Sequence, residues 1–287
     1  AVLTITARTR IKSEAEATDE LWHEIRNAYR TRRILTGTLD GIEQTAGGKT
    51  LATVSFRGFR IAIPIREMLV LENRPSGRAY ADYMNRLSRI LGTMLGAEID
   101  FIVKGIDSTT HSAVASRREA MLRKRQTFYL GKDVSGNPYI YPGRLVEARV
   151  IAVAEKVLRV EAFGIECAIF ARDLSWQWVS DVRDLYSVGD RVLVRVQEIS
   201  GEDAEHLSIR ADIRSTFSET SVDNLKKCQV QSKYAGKVTD LRGGVVYIRL
   251  NNGVNAIAHT CYDSRMPGKK DDVSFAVTRL DEEHGIA

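Results

Sequence analysis

The stretch that decides the fold is 187-SVGDRVLVRVQEIS-200, followed shortly by 206-HLSIRADI-213. It opens on a Gly189-Asp190 turn and then alternates without a break. Val192, Val194 and Val196 point one way, and Arg191, Leu193, Arg195 and Gln197 point the other. A period of two belongs to a half-buried β-strand rather than a helix. The outer face carries arginine where neutral polar residues are the common choice, and the same pattern recurs elsewhere in the chain.

The first strands of three blocks align without gaps: LTGTLDGIE (35–43), VEARVIAVA (146–154) and YAGKVTDLR (234–242). Each places a small residue, a polar or basic one and an aliphatic one in order: Gly37-Thr38-Leu39, Ala148-Arg149-Val150 and Gly236-Lys237-Val238. A third strand follows a glycine in each block: GFRIAIPIREM (58–68), GIECAIFARDL (164–174) and GVNAIAHTCYD (253–263). A fourth follows another glycine, at 96–107, at 189–200 and, with two extra residues, at 268–281. The fifth-strand seeds are HSAVASRR, EHLSIRAD and HGIA. Self-similarity of this kind marks a repeat architecture.

Five short strands per block, with a short helical link between the third and fourth, fit a five-stranded Greek-key barrel of the OB type. The link is SWQWVSDVRDLY (175–186) in the second block. In the first it is enlarged to a helical insertion at 75–95, with Tyr80, Met84, Leu87 and Leu91 on one face. An amphipathic helix over 13–32 precedes the barrels, with Ser13 and Glu16 as a capping box and Ala17, Leu21, Ile25, Ala28 and Tyr29 at helical spacing. The expected fold is therefore mainly β with added helices. It divides into an N-terminal helical segment (1–32), a first barrel (33–125), a linker (126–141), a second barrel (142–213), a Ser/Thr-rich linker (214–227) and a third barrel (228–287). The third is expected to be truncated in strand five, since HGIA barely begins it.

Composition sets the outer bounds. The 287 residues are 44% hydrophobic and 28% charged, with a formal charge of +5. No apolar run approaches the roughly 18 residues of a membrane span, and AVLTITARTRIKSEAE lacks a signal-peptide core. Three cysteines without CxxC or CxxH spacing fit reduced thiols in the cytoplasm and no metal site. No phosphate-binding, dinucleotide, metalloprotease or nucleophile-elbow motif occurs, the five histidines stand singly, and the acidic pairs fall in turns. No catalytic residues, no metal and no cofactor are expected.

These residues resemble the S-one type of RNA-binding domain, a family named for the large RNA-binding protein of the bacterial small ribosomal subunit. The second block carries Val188-Gly189-Asp190, the three alternating valines and Leu207-Ser208-Ile209-Arg210. The third block's GVNAIAH ends on His259, and the first block's GFRIAIP ends on Pro64 with Glu67 following. The resemblance implies non-catalytic binding of single-stranded, mRNA-like RNA in translation or mRNA handling, with the ribosome or another RNA-handling protein as a further partner. Protein-interaction scaffolding and single-stranded DNA binding are the competing readings.

The family stacks bases on outward positions of strands two and three. Here the second-strand position is Thr53, Arg159 and Tyr247, and the third-strand position is Pro64, Phe170 and His259. Gly244 stands where the family carries a companion aromatic. Arg159, Phe170, Tyr247 and His259 are thus the implied base contacts, and Arg149, Lys237 and Arg249 lie outward on neighbouring strands to meet phosphates. The run SRREAMLRKR offers Arg117, Arg118, Arg123, Lys124 and Arg125 as further phosphate contacts, or else a solvated linker helix. Each outward arginine has the plainer alternative of pairing with a nearby glutamate such as Glu161. Trp176 and Trp178 read as packing between barrels.

Overall fold

The computed structural model describes residues 14–45, 47, 49–70, 78–176, 178–216, 224–242, 244–259, 266–281 and 286–287. The chain divides into two compact units, Ala1–Gln126 and Thr127–Ala287.

The first unit begins with α1 (Glu14–Thr31), which buries Trp22, Ile25 and Ala28. The Trp22 ring lies 5.4 Å from Phe59 and meets His111 edge-on at 5.0 Å. The helix is therefore packed on the strands that follow, and Trp22, not the half-buried Leu21, is its largest anchor. Ser13 of the expected capping box lies outside the described residues. Strands β1 (Ile34–Gln44), β2 (Thr50–Phe56), β3 (Phe59–Pro64), β4 (Glu98–Asp107) and β5 (Ser112–Ser116) form a closed barrel, shut by a parallel β3–β5 pairing. Helix α2 (Arg78–Gly92) is the insertion; it buries Leu87 and Leu91, leaving Met84 half-buried and Tyr80 exposed.

The second unit holds two further barrel-like sheets in the corresponding strand order, one of five strands and one of four. The first joins β6 (Leu145–Ala154), β7 (Val157–Ala162), β8 (Ile165–Phe170), β9 (Arg191–Ser200) and β10 (Ser208–Asp212) around a core that includes Val150, Leu158, Val160, Val194 and Val196. The second joins β11 (Lys233–Arg242), β12 (Val245–Leu250), β13 (Asn255–Ala258) and β14 (Asp272–Ala276) around Val238, Ile248, Leu250 and Val254. Its fifth-strand seed is seated: Ile257 N–H donates to Ala287 O, and Ala287 N–H donates to Asn255 O.

One device recurs in all three barrels. The first strand carries a bulge that skips one residue, at Asp40, Ile151 and Thr239, so that it bends from one partner to the other. The residue before each bulge exchanges two backbone hydrogen bonds with the turn that opens the fourth strand. The pairs are Leu39 with Gly96 and Ala97, Val150 with Gly189 and Asp190, and Val238 with Lys270 and Asp271. These turns need a left-handed residue, supplied by Gly96 (φ +85°), Gly189 (φ +95°) and, in the third barrel, Lys270 (φ 75°). Asp190 accepts from Ser187 N–H at 2.7 Å, and Asp271 accepts from Gly268 N–H at 2.8 Å, so the longer third-barrel turn is built the same way.

Three connections differ from the sequence expectation. The link 175–186 is not a helix: its described residues contain only a 3-10 turn at Val182–Asp184, after another at Ala171–Asp173. The stretch 126–141 is not a free spacer, because Tyr129 and Ile140 enter the second barrel's core and Tyr129 OH donates to Ala162 O at 2.8 Å. At the end of the stretch 214–227, Leu225 enters the third barrel's core. Arg195, on the outer face of the opening stretch, donates to Gly143 O and to Ser215, tying both ends of its barrel together.

The small residue ahead of each bulge has a steric cause. A Cβ on Gly37 would lie 2.6 Å from Ser55 O, and one on Gly236 would lie 2.5 Å from Arg249 O. Gly37→Val is expected to cost about 1–3 kcal/mol through overpacking, read as a lower urea midpoint by circular dichroism. Gly41→Ala, with nothing within 4 Å of the added carbon, leaves the midpoint in place. A second expectation concerns Cys167, whose thiol is pushed up to about 12 chiefly by burial, with Glu166 adding to the shift. The thiol stays protonated at neutral pH, so iodoacetamide modifies Cys167 only after denaturation, as peptide mass mapping would record.

Candidate nucleic-acid interface

Strand register fixes how the expected contact residues meet. In the three barrels Thr53 pairs with Ala62, Arg159 with Ala168 and Tyr247 with Ile257. The third-strand positions Pro64, Phe170 and His259 each lie two residues further on, so each shares a face with its second-strand counterpart and sits diagonally from it. The repeats thus agree in geometry and differ in chemistry.

On the second barrel, Phe170 is 49% exposed although it is a large apolar ring. The Arg172 guanidinium lies 5.7 Å from its centroid. Arg159 on the same face pairs with Glu166, and Ala168 between them is exposed and small. The patch therefore offers one open ring, a flat gap and two guanidinium groups. That combination suits an unstacked base and its phosphate. Arg172 was absent from the sequence reading; its position two residues beyond Phe170 was the available signal. Arg149 sits differently, since its guanidinium is 2.9 Å from Glu161, a buried carboxylate. Its first duty is to neutralise that charge.

On the third barrel, Tyr247 is already stacked. Trp178 of the second barrel's link lies over it, with ring centroids 4.3 Å apart and planes 17° from parallel. The link is tied down on either side of the stack. Asn255 donates to Trp176 O at 2.6 Å, and Lys269 donates to Ser180 Oγ at 2.8 Å and lies 3.6 Å from Asp184. Asp181 caps the nearby 3-10 turn, and its hydrogen bonds from Arg183 hold its carboxyl down to about 2. Arg249 donates to Asn255 Oδ1 at 2.9 Å, and burial lowers its pKa. Lys237 is exposed 3.8 Å from Asp272, and His259 is exposed at the end of β13.

The first barrel presents no comparable ring. Thr53 is 7% exposed, so the position expected to face outward is buried, and Pro64 is half-buried. The basic run forms α3 (Arg117–Arg125), capped by Ser116, whose oxygen accepts from Glu119 N–H. Neither a solvated helix nor a phosphate rail describes it. Arg117 is fully buried and donates to Met68 O at 2.8 Å, and Arg125 is buried. Lys124 pairs with the buried Asp100, Arg123 donates to Arg32 O, and Arg118 is half-buried. Arg117 and Arg125 are turned into the unit, while Arg123 stays exposed.

Among the described residues, no group of three or more His, Cys, Asp or Glu side chains is placed to hold a metal ion. No described helix is long and apolar enough to cross a membrane.

Residues 140–210 match the family model described as S1 RNA binding domain. The chain is 22% identical over 289 aligned residues to small ribosomal subunit protein bS1 of Coxiella burnetii, covering 96% of this chain and 47% of that protein. It is also 21% identical to 4-hydroxy-3-methylbut-2-enyl diphosphate reductase of Clostridium acetobutylicum, over 83% of this chain and 33% of that protein. The chain therefore spans half or less of these curated relatives. A solved a/eIF2alpha-aDim2p-rRNA complex from Pyrococcus horikoshii OT3 aligns at 20% identity over 31% of this chain and 53% of that one, with a TM-score of 0.25.

The Arg149–Glu161 pair gives a test that separates packing from binding. Arg149→Ala leaves a buried carboxylate without its guanidinium and is expected to cost about 3 kcal/mol of stability. Arg210→Ala, which breaks the exposed pair with Glu198, leaves the thermal midpoint unchanged within error.

Proposed function

We propose that this chain, which carries an S1 RNA binding domain over residues 140–210 and resembles S1-type RNA-binding proteins, binds single-stranded RNA without catalysing a reaction. The observation that carries the reading is the half-exposed Phe170 ring flanked by Arg172 and Arg159, on the strand face that the family uses for bases. An exposed aromatic among guanidinium groups provides stacking and charge together, the two needs of an unpaired polynucleotide. His259, Lys237 and Arg249 form the corresponding contacts on the third barrel around the stacked Tyr247, and Arg149 acts behind the second. The modules are the segments 33–125, 142–213 and 228–287, with 1–32, 126–141 and 214–227 as the pieces that join or brace them. Tethering weak sites in tandem raises the local concentration of the second site once the first is filled.

The setting we infer is cytoplasmic, in translation or mRNA handling, with mRNA-like single strands and the ribosome or another RNA-handling protein as partners. The likeness to bS1 supports this setting. Reductase chemistry stays with the relative whose name states it. For the first barrel, the buried Thr53 and the inward α3 favour protein contact or a bracing role over base stacking.

Titration with a fluorescein-labelled oligo-uridine RNA, the matching DNA and a duplex tests the reading. RNA is expected to bind at micromolar affinity or tighter and to weaken between about 50 and 200 mM salt. Phe170→Ala is expected to weaken binding about tenfold. Absence of binding to every nucleic acid at low salt would hand the chain to the protein-interaction reading, and equal binding of DNA would remove the preference for RNA.

A further inference from the structure

We propose that the second and third barrels share one base-stacking site, to which the second barrel's link contributes Trp178. The inference rests on the RNA-binding reading and adds a residue to it from outside the third barrel. Trp178 is parallel to Tyr247 at 4.3 Å, yet remains 46% exposed. A ring that is covered on one face and still half open has its other face free for a base.

Two further observations support the assignment. The link is fixed beside the stack by Asn255 on Trp176 O and by Lys269 on Ser180 and Asp184. A base that expelled Trp178 from Tyr247 would have to strain this clasp, whereas one that added to the outer face of Trp178 would not. Register also places cations around the stack. Lys237 pairs across the sheet with Arg249, two residues from Tyr247, and the exposed His259 lies diagonally across from Tyr247. The rim is suited to a phosphate backbone, and a base joining the stack extends an existing column of rings. Tyr247 then acts as the backing ring rather than the contact itself.

The test compares the full chain with Trp178→Ala, Trp178→Phe and Phe170→Ala on fluorescein-labelled oligo-uridine RNA, with thermal melts confirming that each variant folds. Trp178→Ala is expected to weaken binding about ten- to a hundredfold, and Trp178→Phe to restore most of the loss. If the unaltered chain binds, and Phe170→Ala weakens it while Trp178→Ala does not, the shared site is refuted and the RNA reading stands. Tighter binding by Trp178→Ala would also refute it, marking the indole as a cover over Tyr247. Failure of the unaltered chain to bind removes both.

Discussion

Each barrel depends on the way its first strand changes partners. The strand must pair with the fourth strand at one end and the second at the other, and a straight strand cannot bend far enough to do so. A bulge at Asp40, Ile151 or Thr239 supplies the bend, and two backbone hydrogen bonds from the preceding residue clamp it to the fourth-strand turn. The second strand then passes so close that an added Cβ would collide with its backbone at Gly37 and Gly236. The hairpins of β2 with β3 and of β7 with β8 hang from this point, and their tight turns set the register that places the outward residues diagonally. In the third barrel Lys270 holds a left-handed conformation that costs a side-chain-bearing residue on the order of 1 kcal/mol. That the turn persists there shows how strongly the clasp is required.

Electrostatics then separates the basic residues into two groups. Arg149, Arg117, Lys124 and Arg125 are drawn inward, toward Glu161, the Met68 carbonyl and Asp100 in the cases where the partner is defined. Arg149 and Lys124 balance the buried Glu161 and Asp100 carboxylates, so removing either would take a counter-charge out of a low dielectric. Arg172 and Lys237 keep their charge in solvent, as their exposed pairs with Asp173 and Asp272 contribute little. The exposed cations are spread over the surface, Arg57 and Arg60 of the first barrel among them, and Arg172 and Lys237 are those that stand beside the rings of the second and third barrels.

The repeats have diverged by changing what stands on a common frame. The first barrel has Thr53 and Pro64 at the shared positions, is braced by α1 and α3, and exposes no ring there. The second exposes Phe170. The third keeps Tyr247 but covers one of its faces with an indole from its neighbour. Because the link comes from one barrel and the tyrosine from the next, the Trp178–Tyr247 stack joins the two surfaces.

Much of this was legible in the residues. Alternation in RVLVRVQEI, the glycine before each third strand and the small residue before each bulge are local demands that leave their mark in the sequence, whereas the third repeat's fourth-strand turn puts Lys270 where the others have glycine. Parity likewise puts Arg159 with Phe170 and Tyr247 with His259 on a shared face, where the sequence suggests side-by-side neighbours and the register makes them diagonal. Partner choice was not legible. Whether Arg149 meets solvent or Glu161, whether the run from Arg117 to Arg125 faces outward, and whether Trp178 lies on Tyr247 depend on residues far apart in sequence. The helical expectation for 175–186 failed for the same reason: among its described residues the link has one 3-10 turn and is tied to the third barrel through Trp176 O, Ser180 and Asp184. Local chemistry determined the strands and the faces. Only the closing of the chain on itself decided which charges and rings those faces leave open.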